Sequence, residues 1–229
     1  MDQAELFEEN NRDVPKDCIE HFLPGSREIS SDLSALFELS VDAFYAALFA
    51  RMSCLPIEGE ISRFIKKVLA AENAVSNTSD ARTAAAKIAF DRGDPDVLTV
   101  LNTSYKVQHE THRLVGLLRF SPDSAGVYIA RCSPDFFILP ALADHFTLRF
   151  GDIPWAIIDE KRGLCLKREK GLEPQITPAS PEPGDDSKGF WEDLWRLYHK
   201  SINNEGRKNL ELQRQLMPKR YWDYLTEKR

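Results

Sequence analysis

The sequence predicts an α+β fold: an N-terminal helical part, a central antiparallel sheet in the order hairpin, helix, hairpin, and a C-terminal helical segment. Three observations predict it. Apolar residues recur at helical spacing up to about residue 113, and from Leu114 they gather instead into short runs bounded by turn residues. Beyond a proline-rich stretch the helical spacing returns, now carried by large aromatic side chains.

Residues 1–30 lack a sustained period, contain Pro15, Pro24 and Gly25, and read as an acidic arm. The helical part spans 31–113. Leu33, Leu36, Phe37, Leu39, Val41, Phe44, Tyr45 and Leu48 supply one or two buried helices, and Ile61, Phe64, Ile65, Val68 and Leu69 place five apolar side chains on one face of the next. A polar break follows at 73–80, then a short helix over Ala84–Phe90. Asp94-Pro95 offers an N-cap and a first-turn proline for a helix running to about His112.

The sheet is expected within 114–170. Leu114–Phe120 and Val127–Cys132 flank a turn at 121–126, and Trp155–Ile158 and Leu164–Lys167 flank the charged turn Asp159-Glu160-Lys161-Arg162-Gly163. Between the hairpins, Leu139, Leu142, Ala143, Phe146 and Phe150 mark an amphipathic helix to cover one face. Residues 171–189 hold Pro174, Pro178, Pro181 and Pro183 with Gly184, Asp185 and Asp186, a composition expected to form a disordered linker. The C-terminal segment, 190–229, carries Trp191, Leu194, Trp195, Tyr198 and Ile202 on one helical stripe that must dock on something. Leu212 and Leu216 follow, and Pro218 opens a last helix with Tyr221, Trp222 and Leu225.

Charge is polarised along the 229 residues. Residues 1–32 carry nine acids against three bases, which accounts for the net charge of −6, whereas the last 23 residues carry seven bases against three acids. An acidic chain with a basic end is compatible with a nucleic-acid partner at that end. Cys18, Cys54, Cys132 and Cys165 have no metal-ligand spacing, so neither a zinc ribbon nor an iron–sulfur cluster is expected. With no apolar run of bilayer length and no basic-then-apolar leader, no membrane association is expected and the cytoplasm is the expected compartment.

Three constellations bear on chemistry. Asp135, Asp159 and Lys161 have the outline of a metal-dependent nuclease, in which two carboxylates hold Mg²⁺ and a lysine on the same strand face helps activate water. A helix start at Asp135 and a charged hairpin turn account for the same residues structurally. His112 and His145 could serve as a general base with an anion-binding partner, or as packed and capping residues. At the tail, Lys219 and Arg220 stand at a helix start, where cations are unfavourable unless an anion or a carboxylate such as Asp223 or Glu227 compensates. With Tyr221, Trp222, Arg207 and Lys208 they form a candidate nucleic-acid site. Gly93-Asp94-Pro95 echoes an element of uracil-DNA glycosylases, but no His-Pro-Ser partner occurs.

Several strings together resemble a bacterial family labelled as DNA-metabolism and DNA-repair proteins, encoded beside a radical-SAM protein and sometimes fused to a uracil-DNA glycosylase-like domain. They are His112-Arg113-Leu114 running into Gly116-Leu117-Leu118-Arg119-Phe120, Pro134-Asp135, His145-Phe146 with Arg149-Phe150, Trp155 through Asp159-Glu160-Lys161-Arg162, Leu194-Trp195 to Ser201-Ile202, and Gln215-Leu216-Met217-Pro218-Lys219-Arg220-Tyr221-Trp222. The resemblance covers about residues 31–229. It implies a place in DNA metabolism beside a radical-SAM partner and leaves enzymatic activity open; with the basic tail, an accessory protein that binds DNA and requires no cofactor is expected. A divergent nuclease using Mg²⁺ and a protein-interaction scaffold are the alternatives. The chain lacks the Tyr-Asp-Gly strand and helix with which such proteins begin, so its sheet is expected to lack an edge strand. Its Glu205-Gly206-Arg207 and Leu210 depart from the family's Glu-Glu-Arg-x-Asn-Pro turn.

Overall fold

Helical spacing in the first part of the chain produces four helices in close sequence: α1 (Ser31–Leu39), α2 (Val41–Met52), α3 (Glu58–Asn73) and α4 (Thr78–Ala89). The computed structural model describes residues 31–73, 78–179, 188–204, 206 and 209–228. The acidic arm, Arg207, Lys208 and positions 180–187 of the expected linker lie outside the described residues. Ser40 caps α2 by accepting the Ala43 amide at 3.3 Å. Ile61, Phe64, Ile65 and Val68 of α3 are buried together with Leu33, Leu36, the alanines of α2 and Ala81, Ala85 and Ala89 of α4, as the one-faced spacing requires.

Helix α5 (Pro95–Leu117) starts at its expected cap: Asp94 Oδ1 accepts the amides of Asp96 and Val97 at 2.9 and 3.2 Å. Lys67 donates to Asp94 and to Asp96, and Arg63 to Asp96, which pulls the Asp96 carboxyl down to about 2 through those hydrogen bonds. The chain resolves into two compact units, one through His109 and one from Glu110.

The second unit contains a five-stranded sheet in the order β1 (Ser121–Pro122), β2 (Tyr128–Cys132), β3 (Trp155–Asp159), β4 (Leu164–Arg168), β5 (Gln175–Pro178). Two expectations are corrected here. The run from Leu114 belongs to α5 as far as Leu117, because Leu114, Leu117 and Leu118 fall at helical spacing and all three are buried; only two residues remain for β1. Moreover, β2 and β3 pair in parallel, Tyr128 opposite Trp155 and Cys132 opposite Asp159, while the other neighbours are antiparallel. The connection between β2 and β3 carries α6 (Leu139–Phe150), a crossover long enough to return the chain in the same direction, so the sheet is mixed rather than wholly antiparallel.

Strand β5 falls within the segment expected as linker. Its single buried apolar residue, Ile176, between Gln175 and Thr177 gives too little pattern to stand out in sequence. Beneath the sheet Phe120, Phe146, Phe150 and Trp155 pack ring against ring, with centroids 4.8–6.4 Å apart. Helix α7 (Lys188–Ile202), α8 (Leu210–Leu216) and a six-residue 3₁₀ helix (Lys219–Tyr224) complete the chain. Among the described residues no helix is long and apolar enough to cross a membrane.

The α7 stripe is less covered than its spacing suggested: Leu194, Tyr198 and Ile202 are exposed, and Trp195 keeps 38% of its surface in solvent. Trp155 is fully buried. Trp155→Ala is therefore expected to cost about 3–5 kcal/mol, and Trp195→Ala, which loses a rim contact and one hydrogen bond, about 1–2 kcal/mol. Denaturant melts of the two variants check the order.

Candidate functional site

Glu110 falls in the apolar phase of α5, on a stripe with Val107, Leu114 and Leu117. Its carboxylate is 2% exposed. A charge so placed needs partners, since isolating a carboxylate from water costs several kcal/mol. Four donors reach it. The backbone amides of Asp135 and Phe136 donate at 3.0 and 2.8 Å, the Tyr221 hydroxyl at 2.5 Å, and Arg220 Nη2 at 3.2 Å. Burial pushes the Tyr221 phenol well up, and the charge of Glu110 adds to it, so the hydroxyl stays a donor across the physiological range.

The segment Pro134–Phe136, between β2 and α6, is held from both sides. Its amides go to Glu110, and its carbonyls go to Arg162, whose Nη1 donates to Pro134 O at 3.0 Å and Nη2 to Asp135 O at 2.6 Å. Irregular backbone next to a core must satisfy its polar groups in this way. Arg162 is fixed in turn by Asp159 at 2.8 Å, both side chains being almost fully buried. Asp159 Oδ1 also accepts the amides of Lys161 and Arg162 at 3.1 and 3.2 Å, which closes the β3–β4 turn over Gly163 in its left-handed conformation (φ 63°). Burial pushes the Asp159 carboxyl up, against the pull of Arg162 and those amides. The Cys132 thiol is raised well above its ordinary value by burial and by Asp159.

Asp135 turns its side chain outward, where Arg220 Nη1 pairs with Oδ2 and Lys161 Nζ lies 3.9 Å from Oδ1. The Arg220 guanidinium also stacks 4.8 Å from the Tyr221 ring centroid and donates to its hydroxyl at 2.8 Å. Glu110 and Asp135 are thus carboxylates that compensate Arg220. Glu227 serves a second anchor: Arg119 donates to it at 2.6 Å and Trp195 Nε1 at 2.9 Å, while Arg119 lies 5.5 Å from the Trp195 ring. Burial pushes the Glu227 carboxyl up, but these hydrogen bonds outweigh burial and leave it below its ordinary value of 4.5.

Of the residues singled out from sequence, the fold brings Asp135, Asp159, Lys161, Arg220 and Tyr221 into one cluster. Tyr221 is buried. Trp222 donates to Met217 O at 2.9 Å and carries Lys228 4.8 Å over its ring. Lys219 is exposed. His112 is exposed near the end of α5, and His145 is exposed on α6 with its ring edge-on to Phe146, so neither enters the cluster. Among the described residues no group of three or more His, Cys, Asp or Glu side chains could hold a metal ion.

The model of a family described as a domain of unknown function, DUF4130, matches residues 63–227. This chain belongs to that family. No curated protein and no solved structure matches it. The DUF4130 match spans Glu110, the Pro134–Phe136 segment, the 159–162 turn and Arg220-Tyr221, so the whole cluster lies within the family domain.

Sequence reasoning missed Glu110, the residue on which the cluster turns. The available signal was a carboxylate on an otherwise apolar helical stripe. Glu110→Ala is expected to cost about 3–5 kcal/mol, because two amides and a buried hydroxyl lose their acceptor. Arg220→Ala is expected to cost about 1–3 kcal/mol, since its side chain is 44% exposed and Glu110 keeps three donors. Lys219→Ala should stay within about 0.5 kcal/mol. Thermal and urea melts of the three variants measure this order.

A pH dependence follows from Glu227. Its folded pKa lies below 4.5, so the stability it contributes is complete above that value and is lost as pH falls through the folded one. Melts from about pH 5 down to about pH 3 should show a decline that Glu227→Gln flattens.

Proposed function

We propose that this protein is a non-enzymatic accessory factor of DNA metabolism that binds nucleic acid and acts with a radical-SAM partner. The observation that carries the non-enzymatic part is the engagement of the candidate catalytic carboxylates inside the chain. Asp159 is buried against Arg162 and two backbone amides, and Asp135 is paired with Arg220 and faces Lys161. Carboxylates so neutralised hold a shape; metal-dependent hydrolysis needs them turned together toward a cation. The DNA context and the radical-SAM partner rest on the resemblance, and three of the strings that carry it meet around Glu110 through Pro134-Asp135, Lys161-Arg162 and Arg220-Tyr221.

Of the two cations in the Lys219-Arg220 pair, Arg220 is committed to the cluster and Lys219 faces solvent, so Lys219 is the one of the pair offered to phosphate. One observation favours the nuclease as a second reading: Lys161 and Asp135, two of its three residues, lie 3.9 Å apart.

Labelled single- and double-stranded DNA, followed by fluorescence anisotropy at several salt concentrations, tests the proposal. Lys219→Ala should reduce the salt slope by about 0.7–0.9 while leaving the fold intact. With Mg²⁺ or Mn²⁺ added, no cleavage is expected. Cleavage that disappears in a folded Asp135→Ala variant would establish the nuclease instead, and a salt slope unchanged by Lys219→Ala would remove the tail from DNA binding.

A further inference from the structure

The exposed face of α7 is organised in a way that solvation alone does not require. Leu194, Leu197, Tyr198 and Ile202 keep 47, 66, 52 and 59% of their surface in solvent, and their spacing joins them into one seam along the helix. Trp195 lies to one side, tied to Glu227. Along the opposite flank stand Asp193 and Lys200, seven residues apart and therefore on the same side of the helix, two turns from each other. Asp193 shares Arg196 at 2.6 Å but still shows 74% of its side chain to solvent, and Lys200 is exposed.

Helices packed side by side through such a seam read their orientation from the flanks. In an antiparallel pair like flanks meet, and in a parallel pair opposite flanks meet. Here the like-flank arrangement sets Asp193 of each copy beside Lys200 of the other, giving two symmetric opposite-charge pairs over a leucine and tyrosine seam. The surface is complementary to itself, the condition for a two-fold interface. We propose that α7 is the seam of a homodimer of this chain, two copies packing antiparallel through Leu194, Leu197 and Tyr198. The seam is short, so the interface belongs to the small, transient class, and the dissociation constant is expected to be on the order of micromolar. This inference is independent of DNA binding.

Sedimentation equilibrium of the full chain, from about 1 to about 100 µM, measures the association. The expected result is a reversible monomer–dimer equilibrium. Asp193→Lys alone and Lys200→Asp alone each place like charges opposite one another at both ends of the seam and should weaken the dimer about tenfold. The double variant, Asp193→Lys with Lys200→Asp, restores opposite charges only if the helices are antiparallel, and it should bring the dissociation constant back to within about threefold of the original. Circular dichroism checks that each variant keeps its helix content. A monomer throughout the range would overturn the proposal and leave the seam to a different protein; dimerisation indifferent to the single variants, or not restored by the double one, would place the interface elsewhere.

Discussion

A carboxylate out of water is the constraint on which the second unit is built. Glu110 accepts from four donors contributed by two distant stretches, and each solves a problem for the other. The carboxylate needs donors that water no longer supplies, and the irregular segment after β2 needs an acceptor for its amides. Arg162 repeats the logic with opposite sign, a buried cation receiving the carbonyls of the same segment while Asp159 balances its charge. The passage from β2 into α6, the β3–β4 turn and the C-terminal 3₁₀ helix are thereby tied to one side-chain network. Such networks replaced by apolar groups of the same shape are often no less stable, so their value lies as much in specifying one arrangement as in strengthening it.

Charge assignments shaped what the tail can do. Arg220, a cation at a helix start, is compensated by groups from α5 and from the segment before α6, far away in the chain. Local reasoning could name only near neighbours such as Asp223 and Glu227. In the fold, Glu227 answers to Arg119 and Trp195.

Much of the architecture was legible where one period dominated. The α3 face and the Asp94-Pro95 start of α5 are local signals, and the structure forms them as read. The end of α5, the direction of β3 and the existence of β5 were not. Leu114–Leu118 are apolar enough for either a strand or a buried helix, and periodicity over so few residues does not arbitrate. Parallel pairing depends on the crossover through α6, a property of the connection rather than of the strand. β5 has one apolar residue in the pattern, and its stability comes from the ladder with β4. For the candidate site, Asp135, Asp159, Lys161, Arg220 and Tyr221 were identifiable by residue type, but their meeting around Glu110 is a long-range fact that spacing does not encode.

That long range has a consequence for how the chain is made. Tyr221 lies 111 residues beyond Glu110. During synthesis at about 5–20 residues per second, some 6–20 s separate the two as they leave the ribosome. The helices through α4 contact one another at short sequence separation, and Val97 and Val100, early in α5, join the same core. In the nascent sheet unit, by contrast, Glu110 can meet the amides of Asp135 and Phe136 early but depends on water in place of Arg220 and Tyr221 until that stretch emerges. The side of Glu110 that Tyr221 covers stays open to solvent, and to any holding chaperone, for the same interval, and the arrival of Tyr221 becomes the event that seals it.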